Sequence, residues 1–151
     1  TNGLLLNELK LNELTQRFAK VAVDISVDAG SIKIYSKTRG ASFEKLFENL
    51  EMLSEARKNN KFSEFVLNFT ISKINIMDLE NFVQLAKSLH VDYVRISAVH
   101  NWGIWSEEEF ERMRILDDNY QLKEEVKRYF VNSVMQSDFV LDNNVGFKND
   151  R

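Results

Sequence analysis

Cysteine is absent from the 151 residues. Disulfides, cysteine-ligated zinc, a thiol nucleophile and cysteine ligands to an iron–sulfur cluster therefore cannot come from this chain. Histidine is limited to His90 and His100, too few for a multi-histidine metal centre, and no metal ligand is assigned. Proline is also absent, where about 5% is average. No apolar run approaches the roughly 20 residues needed to cross a bilayer, so no membrane partner is expected. No basic segment leads into an apolar one at the start, so no signal peptide is expected and a cytoplasmic location is. A strong excess of one charge sign is missing as well. Lys plus Arg is 20 and Asp plus Glu is 23, and this mildly acidic balance is unsuited to nucleic acid.

What is present reads as a globular domain. Hydrophobic residues are 44% and charged residues 28%, close to the soluble average. The length suits one domain, expected over residues 1–137 with an irregular tail over 138–151. The opening Thr1-Asn2-Gly3 reads as a turn, as if excerpted from the middle of a longer protein. Apolar spacing predicts helices over about Leu5–Lys20, Ser42–Asn59 and Met77–Leu89, the last with Asn75 as a candidate N-cap. Ser106-Glu107-Glu108-Glu109 is a capping box that opens a fourth helix through Phe110 and Met113. A further helical stretch is expected over Leu122–Val134. Between the helices lie strand-like runs at Val21–Asp28, Phe65–Ser72 and Tyr93–Val99, and no hairpin signal is present. Alternation of this kind predicts an α/β fold with about three parallel strands.

The strands are not uniformly apolar. Val21, Val23, Ile25 and Val27 alternate with Ala22, Asp24, Ser26 and Asp28. Phe65, Leu67, Phe69 and Ile71 alternate with Val66, Asn68, Thr70 and Ser72. Val94, Ile96 and Ala98 alternate with Tyr93, Arg95 and Ser97. One face suits covering helices. The other carries polar groups toward the C-terminal strand ends, where α/β folds bind ligands. A polar-lined barrel or half-barrel cavity fits this pattern, and an antiparallel sheet with one wet face is the alternative. The segment Asp24 to Gly40 is read as a βα loop with turns at Gly30 and Gly40. It places Arg39 before a helix, where a forked contact to a carboxylate is possible.

This segment resembles the radical S-adenosylmethionine enzyme superfamily. The pattern is Ser26-Val27-Asp28-Ala29-Gly30, then Tyr35, Arg39-Gly40, and Phe43-Glu44-Lys45-Leu46 with Glu48-Asn49-Leu50. In order after it come Leu67-Asn68-Phe69-Thr70-Ile71 with Lys73 and Asn75, then Phe82–Leu89, then Val91-Asp92-Tyr93-Val94-Arg95. Thr1-Asn2-Gly3 is similar to the close of the family's third strand. The resemblance runs from Thr1 to about Glu111 and implies the C-terminal half of a six-stranded partial (β/α) TIM-like barrel. The family's CxxxCxxC cluster loop and its Gly-Gly-Glu motif have no counterpart here.

The resemblance implies a parent enzyme that reductively cleaves S-adenosylmethionine at a 4Fe-4S cluster to start radical chemistry on a peptide or small molecule. This chain would keep part of the cofactor and substrate wall, bind no cluster, contribute no catalytic residue and be inactive alone. Ser26 and Asp28 would meet the cofactor ribose and Arg39 its carboxylate. Asn68 and Thr70 would face cofactor or substrate, and the backbone at Ala98 and Val99 would flank the adenine. Arg95, Ser97, His100 and Trp102 would face substrate, with Trp105 near the same mouth, and Asp24 is read as lining. The implied partner is the missing N-terminal half-barrel. An open edge on the first strand predicts a homo-oligomer or a rearranged first helix. The alternative is a degenerate half-barrel that binds nucleotide or protein without catalysis.

Overall fold

The computed structural model describes residues 1–130 and 139–143. Four strands, β1 (Ala22–Ser26), β2 (Glu64–Ile71), β3 (Tyr93–Ala98) and β4 (Val140–Asn143), lie side by side in chain order. Every neighbouring pair is parallel, in registers that set Ser26 beside Asn68 and Asn68 beside Arg95. The antiparallel alternative is thereby excluded. The helices are α1 (Glu8–Arg17), α2 (Ile32–Thr38), α3 (Phe43–Lys58), α4 (Leu79–Ser88), α5 (Glu107–Met113) and α6 (Glu124–Lys127). Short 3-10 turns sit at Ile76–Asp78 and Arg128–Phe130.

A strand order that never reverses defines a singly wound sheet. Parallel crossovers are right-handed, so successive helices fall on the same face. Burial follows that rule. Val23, Ile25, Phe65, Leu67, Phe69, Ile71, Val94 and Ile96 are buried in one core with Leu46, Leu50 and Leu53 of α3 and Leu79, Phe82 and Val83 of α4. Asp24, Ser26, Asn68, Thr70, Arg95 and Ser97, on the opposite face, are half-buried. The period-two alternation in the sequence is thus the division between a helix-covered face and a polar face.

Local signals fix the helix starts. Asn7 accepts a hydrogen bond from the Lys10 amide at 3.0 Å and begins α1 there, later than apolar spacing suggests. Ser42 does the same for α3 through the Lys45 amide at 3.1 Å. The Ser106–Glu109 capping box forms as the sequence predicts.

Several expectations need correction. The stretch after β1 is not a loop, because it contains α2, with Ile34 and Tyr35 buried. Asn75 is not a helix cap through its side chain, since α4 begins four positions further on at Leu79, after the turn at Ile76–Asp78. The tail expected to be irregular holds β4, and residues 144–151 lie outside those described. The helix expected over Leu122–Val134 is reduced to α6 and one 3-10 turn, with 131–134 outside the described residues. An antiparallel bridge joins Leu116 and Leu122 around a turn that Asp117 closes by accepting from the Asn119 and Gln121 amides at 2.9 Å. The pairing is a single isolated bridge without an alternating strand on either side, so the sequence carries no hairpin signal there.

Candidate functional site

The polar groups gather in two clusters and one pocket. The first cluster is at the C-terminal end of β1. Asp28 follows that strand with φ of 60°, a left-handed backbone that Asp tolerates better than most residues. One carboxylate oxygen accepts the Thr70 amide at 2.7 Å. The other is paired with the guanidinium of Arg39, which stands at the C-terminal end of α2. Asn75 Nδ2 donates to the carbonyls of Asp28 and Thr70, each at 3.0 Å, and ties the ends of β1 and β2 together. Burial pushes the Asp28 carboxyl above the ordinary carboxylate range, and the Thr70 amide and Arg39 pull it partly back. Tyr35 is fully buried beside this pair, and its hydroxyl has no hydrogen-bond partner among the described residues. Its burial raises its pKa, while Arg39 opposes the rise.

The second cluster crosses the middle of the polar face. Arg95 Nη1 donates to Asp24 Oδ2 at 2.6 Å and to Asn68 Oδ1 at 3.3 Å. Asn68 Nδ2 donates in turn to Asp24. Tyr93 lies on the same face, with its hydroxyl donating to Glu64 at 3.1 Å and the Arg95 guanidinium 5.8 Å from its ring centre. The hydrogen bond to Asp24 is the main influence raising the pKa of Arg95.

The pocket follows β3. It encloses about 290 Å³ between Val99, His100, Asn101, Phe110, Arg114 and Leu116. Asn101 shapes its loop by accepting from the Gly103 amide at 3.0 Å and donating to the Trp105 carbonyl at 2.8 Å. Trp102 is 82% exposed, and its ring meets that of His100 edge-on at 6.3 Å. A second pocket, about 410 Å³ around Lys20, Phe62 and Ser63, is at the opposite ends of the strands.

The structure brings Asp28, Arg39 and Thr70 together, and Asn68 with Arg95, but each set is already bonded within the protein. Ser26 and Ser97 lie on the same face, and their hydroxyls make no side-chain hydrogen bond to another described residue. Ala98 faces the helix layer and is buried, and the Val99 amide is committed to the Ile71 carbonyl at 2.9 Å. The Val99 amide is therefore not open to a ligand.

Asp78 escapes a sequence reading. It is buried at the start of α4, and its carboxylate accepts from Gly30 N at 2.7 Å, Ser31 N at 2.9 Å and Ser31 Oγ at 3.0 Å. Gly30 is required there because a Cβ would come within 2.1 Å of the Phe82 nitrogen. Its backbone is not in the left-handed region, so it serves close approach rather than a turn. A separation of 48 residues leaves no local pattern that could have announced the contact.

The class defined by the fold and the polar strand ends is a singly wound parallel α/β protein. No family model matches the chain and no curated protein matches it. Among the described residues, no helix is long and apolar enough to cross a membrane.

Proposed function

We propose that this chain is half of a partial (β/α) barrel of the radical S-adenosylmethionine type, and that its polar face is one wall of a cofactor and substrate chamber. The observation that carries the reading is the Asp28–Arg39 pair, held at the C-terminal end of β1 beside the unpartnered Tyr35 hydroxyl. Ligands of α/β sheets bind at that end. A buried polar group without a partner is uncommon, and a guest could supply one.

The donors present suit the organic cofactor and not the cluster. Arg39 offers a forked contact to a carboxylate, Ser26 and Thr70 offer hydroxyls, and Asp28 is an acceptor for ribose hydroxyls. Asn68, Arg95 and Ser97 extend the same face toward substrate, with His100 and Trp102 beyond. With no cysteine in the sequence, cluster ligands come from another part of the parent enzyme. The bound cofactor supplies the radical chemistry, and the residues here orient it and limit access of water. The chain alone is inactive, and its setting is the cytoplasm.

Titration calorimetry with S-adenosylmethionine or S-adenosylhomocysteine tests the site. Micromolar binding that Ser26→Ala weakens about tenfold, as loss of one net hydrogen bond would, supports it. Absence of heat with both ligands overturns it. Stoichiometric iron and sulfide held by this chain alone after anaerobic reconstitution overturns the division of labour. One observation favours the second reading, a half-barrel without a cofactor site: both ion pairs on the polar face are complete within the protein. Under that reading, neither ligand binds.

A further inference from the structure

The rings of His100, Phe110 and Tyr120 line the pocket that follows β3. Two fixed loops present them. On one side, Asn101 Oδ1 accepts from the Gly103 and Trp105 amides at 3.0 and 3.3 Å, with Gly103 at φ of 82°. Trp102 of the same loop is exposed beside His100. On the other side is the turn closed by Asp117, where Tyr120 has φ of 59°. A left-handed backbone is uncommon for an aromatic residue, and strain of this kind clusters at ligand sites. The Tyr120 ring gains little from folding in return, because the residue is 73% exposed.

The charge around the pocket is one-sided. Residues 106–123 carry six carboxylates against three cations. That difference of -3 equals the net charge of the whole chain, so the remainder is neutral. Arg114 lines the pocket, but its guanidinium is engaged by Glu111 and Asp118. Asp117 and Asp118 line it too. Asp117 uses Oδ1 for both turn amides, and Asp118 uses Oδ1 for Arg114. The Oδ2 atoms are left to accept from a guest. Among the described residues, no third ligand joins these two carboxylates into a metal site.

Aromatic faces beside carboxylate oxygens favour an organic cation. A guanidinium fits them better than an ammonium. It is planar, it forks its N–H donors onto two acceptors, and it is more weakly hydrated. The volume of about 290 Å³ falls at the lower limit for small-molecule sites, about 300–1,000 Å³, so the guest is one side chain or a molecule of that size.

We propose that this pocket binds a guanidinium group, laid against the Tyr120 ring and bonded to Asp117 and Asp118. An arginine side chain of a peptide and a free alkylguanidine share that chemistry. Calling the guest a substrate rests on the reading that His100 and Trp102 face substrate. Its binding requires neither the cofactor nor the cluster.

Nuclear magnetic resonance titration of the isotope-labelled chain, at low salt and without S-adenosylmethionine, tests it. The probes are ethylguanidine, the peptide acetyl-Gly-Arg-Gly-amide, and the same peptide with neutral citrulline in place of arginine. Both guanidinium probes should shift the amides of His100, Asn101 and Tyr120, and the citrulline peptide should bind about tenfold more weakly or less. Tighter binding of the arginine peptide assigns the guest to a peptide, and tighter binding of ethylguanidine assigns it to a free small molecule. Tyr120→Gly should weaken the arginine peptide about two- to fivefold. It should do so without lowering the unfolding temperature, because glycine accepts the left-handed backbone. A purely structural Tyr120 would leave the affinity unmoved. Asp118→Asn should weaken binding about tenfold. No shift at the pocket with either guanidinium probe overturns the proposal. Equal affinity for the citrulline peptide, or full affinity in both variants, overturns it as well. S-adenosylmethionine binding is measured on separate samples, so a failed cofactor site and a failed guanidinium site are told apart.

Discussion

Arg39 and Asp28 neutralise one another at the end of β1, with the carboxylate side chain 11% exposed and the guanidinium 29%. They are 11 positions apart in sequence but are brought together by α2, which returns the chain toward the sheet. The carboxylate also accepts the Thr70 amide, so the pair joins two strands and a helix.

Removing the cation leaves a buried charge without its partner. Arg39→Leu is expected to lower unfolding stability by about 1–3 kcal/mol, less than for a fully buried pair because Arg39 reaches water. Urea denaturation near neutral pH measures it. Adding Asp28→Asn, which keeps the left-handed backbone and the Thr70 contact, should recover part of the loss. A double variant as unstable as the sum of the singles would show that the pair is not coupled.

The two perturbed aspartates give pH effects of opposite sign. Burial raises the folded pKa of Asp28 above its unfolded value of 3.8. The native state therefore binds its proton more tightly, and this group's contribution to stability falls as pH rises from 3.8 through the folded pKa. Asp28→Asn should gain on the wild type over that interval, and the penalty of Arg39→Leu should shrink below it. Asp92 behaves the other way. The fork from Arg57 and the Phe65 amide hold its carboxyl below 3.8, and burial opposes them. Its contribution is complete above 3.8 and disappears as pH falls through the folded pKa. The deficit of Asp92→Asn should therefore narrow in acid. Urea midpoints measured across the acid range check both signs.

Gly30 and Gly40 should respond differently to alanine. At Gly30 the new methyl would strike the backbone of α4, and overpacking of this kind costs about 1–3 kcal/mol or more. At Gly40, φ is 62° and no atom lies within 4 Å, so the cost is the left-handed backbone alone, about 1 kcal/mol. Thermal melts of the two variants separate steric exclusion from backbone preference. Equal losses would refute the close approach.

Asp78→Ala deprives the Gly30 and Ser31 amides of their acceptor. The expected loss is about 2–3 kcal/mol, with faster exchange at those two amides. Ser26→Ala, which removes a hydroxyl with no side-chain partner among the described residues, should change stability by less than about 0.5 kcal/mol. A large loss at Ser26 would mean that its role is structural and would make it unfit as a probe of binding.

The sequence by itself determined the alternation of strands and helices, the apolar and polar faces of β1 to β3, and the Ser106 capping box. Each is written in residues near one another, through a period of two, a period of 3.6 or a cap three positions from its partner. It also determined that no cysteine-ligated cluster is held here. Tertiary structure decided the rest. α2 is hidden because its buried residues, Ile34 and Tyr35, are too few to show a helical period, and its start is fixed by Asp78 from α4. β4 is hidden because four residues make too short a pattern, and it becomes a strand only where β3 offers an edge. Asn68 and Arg95 were legible as polar strand residues, but their bonds to Asp24 depend on the register among three strands. Local periodicity records which face a residue takes, and only the folded chain decides what it meets there.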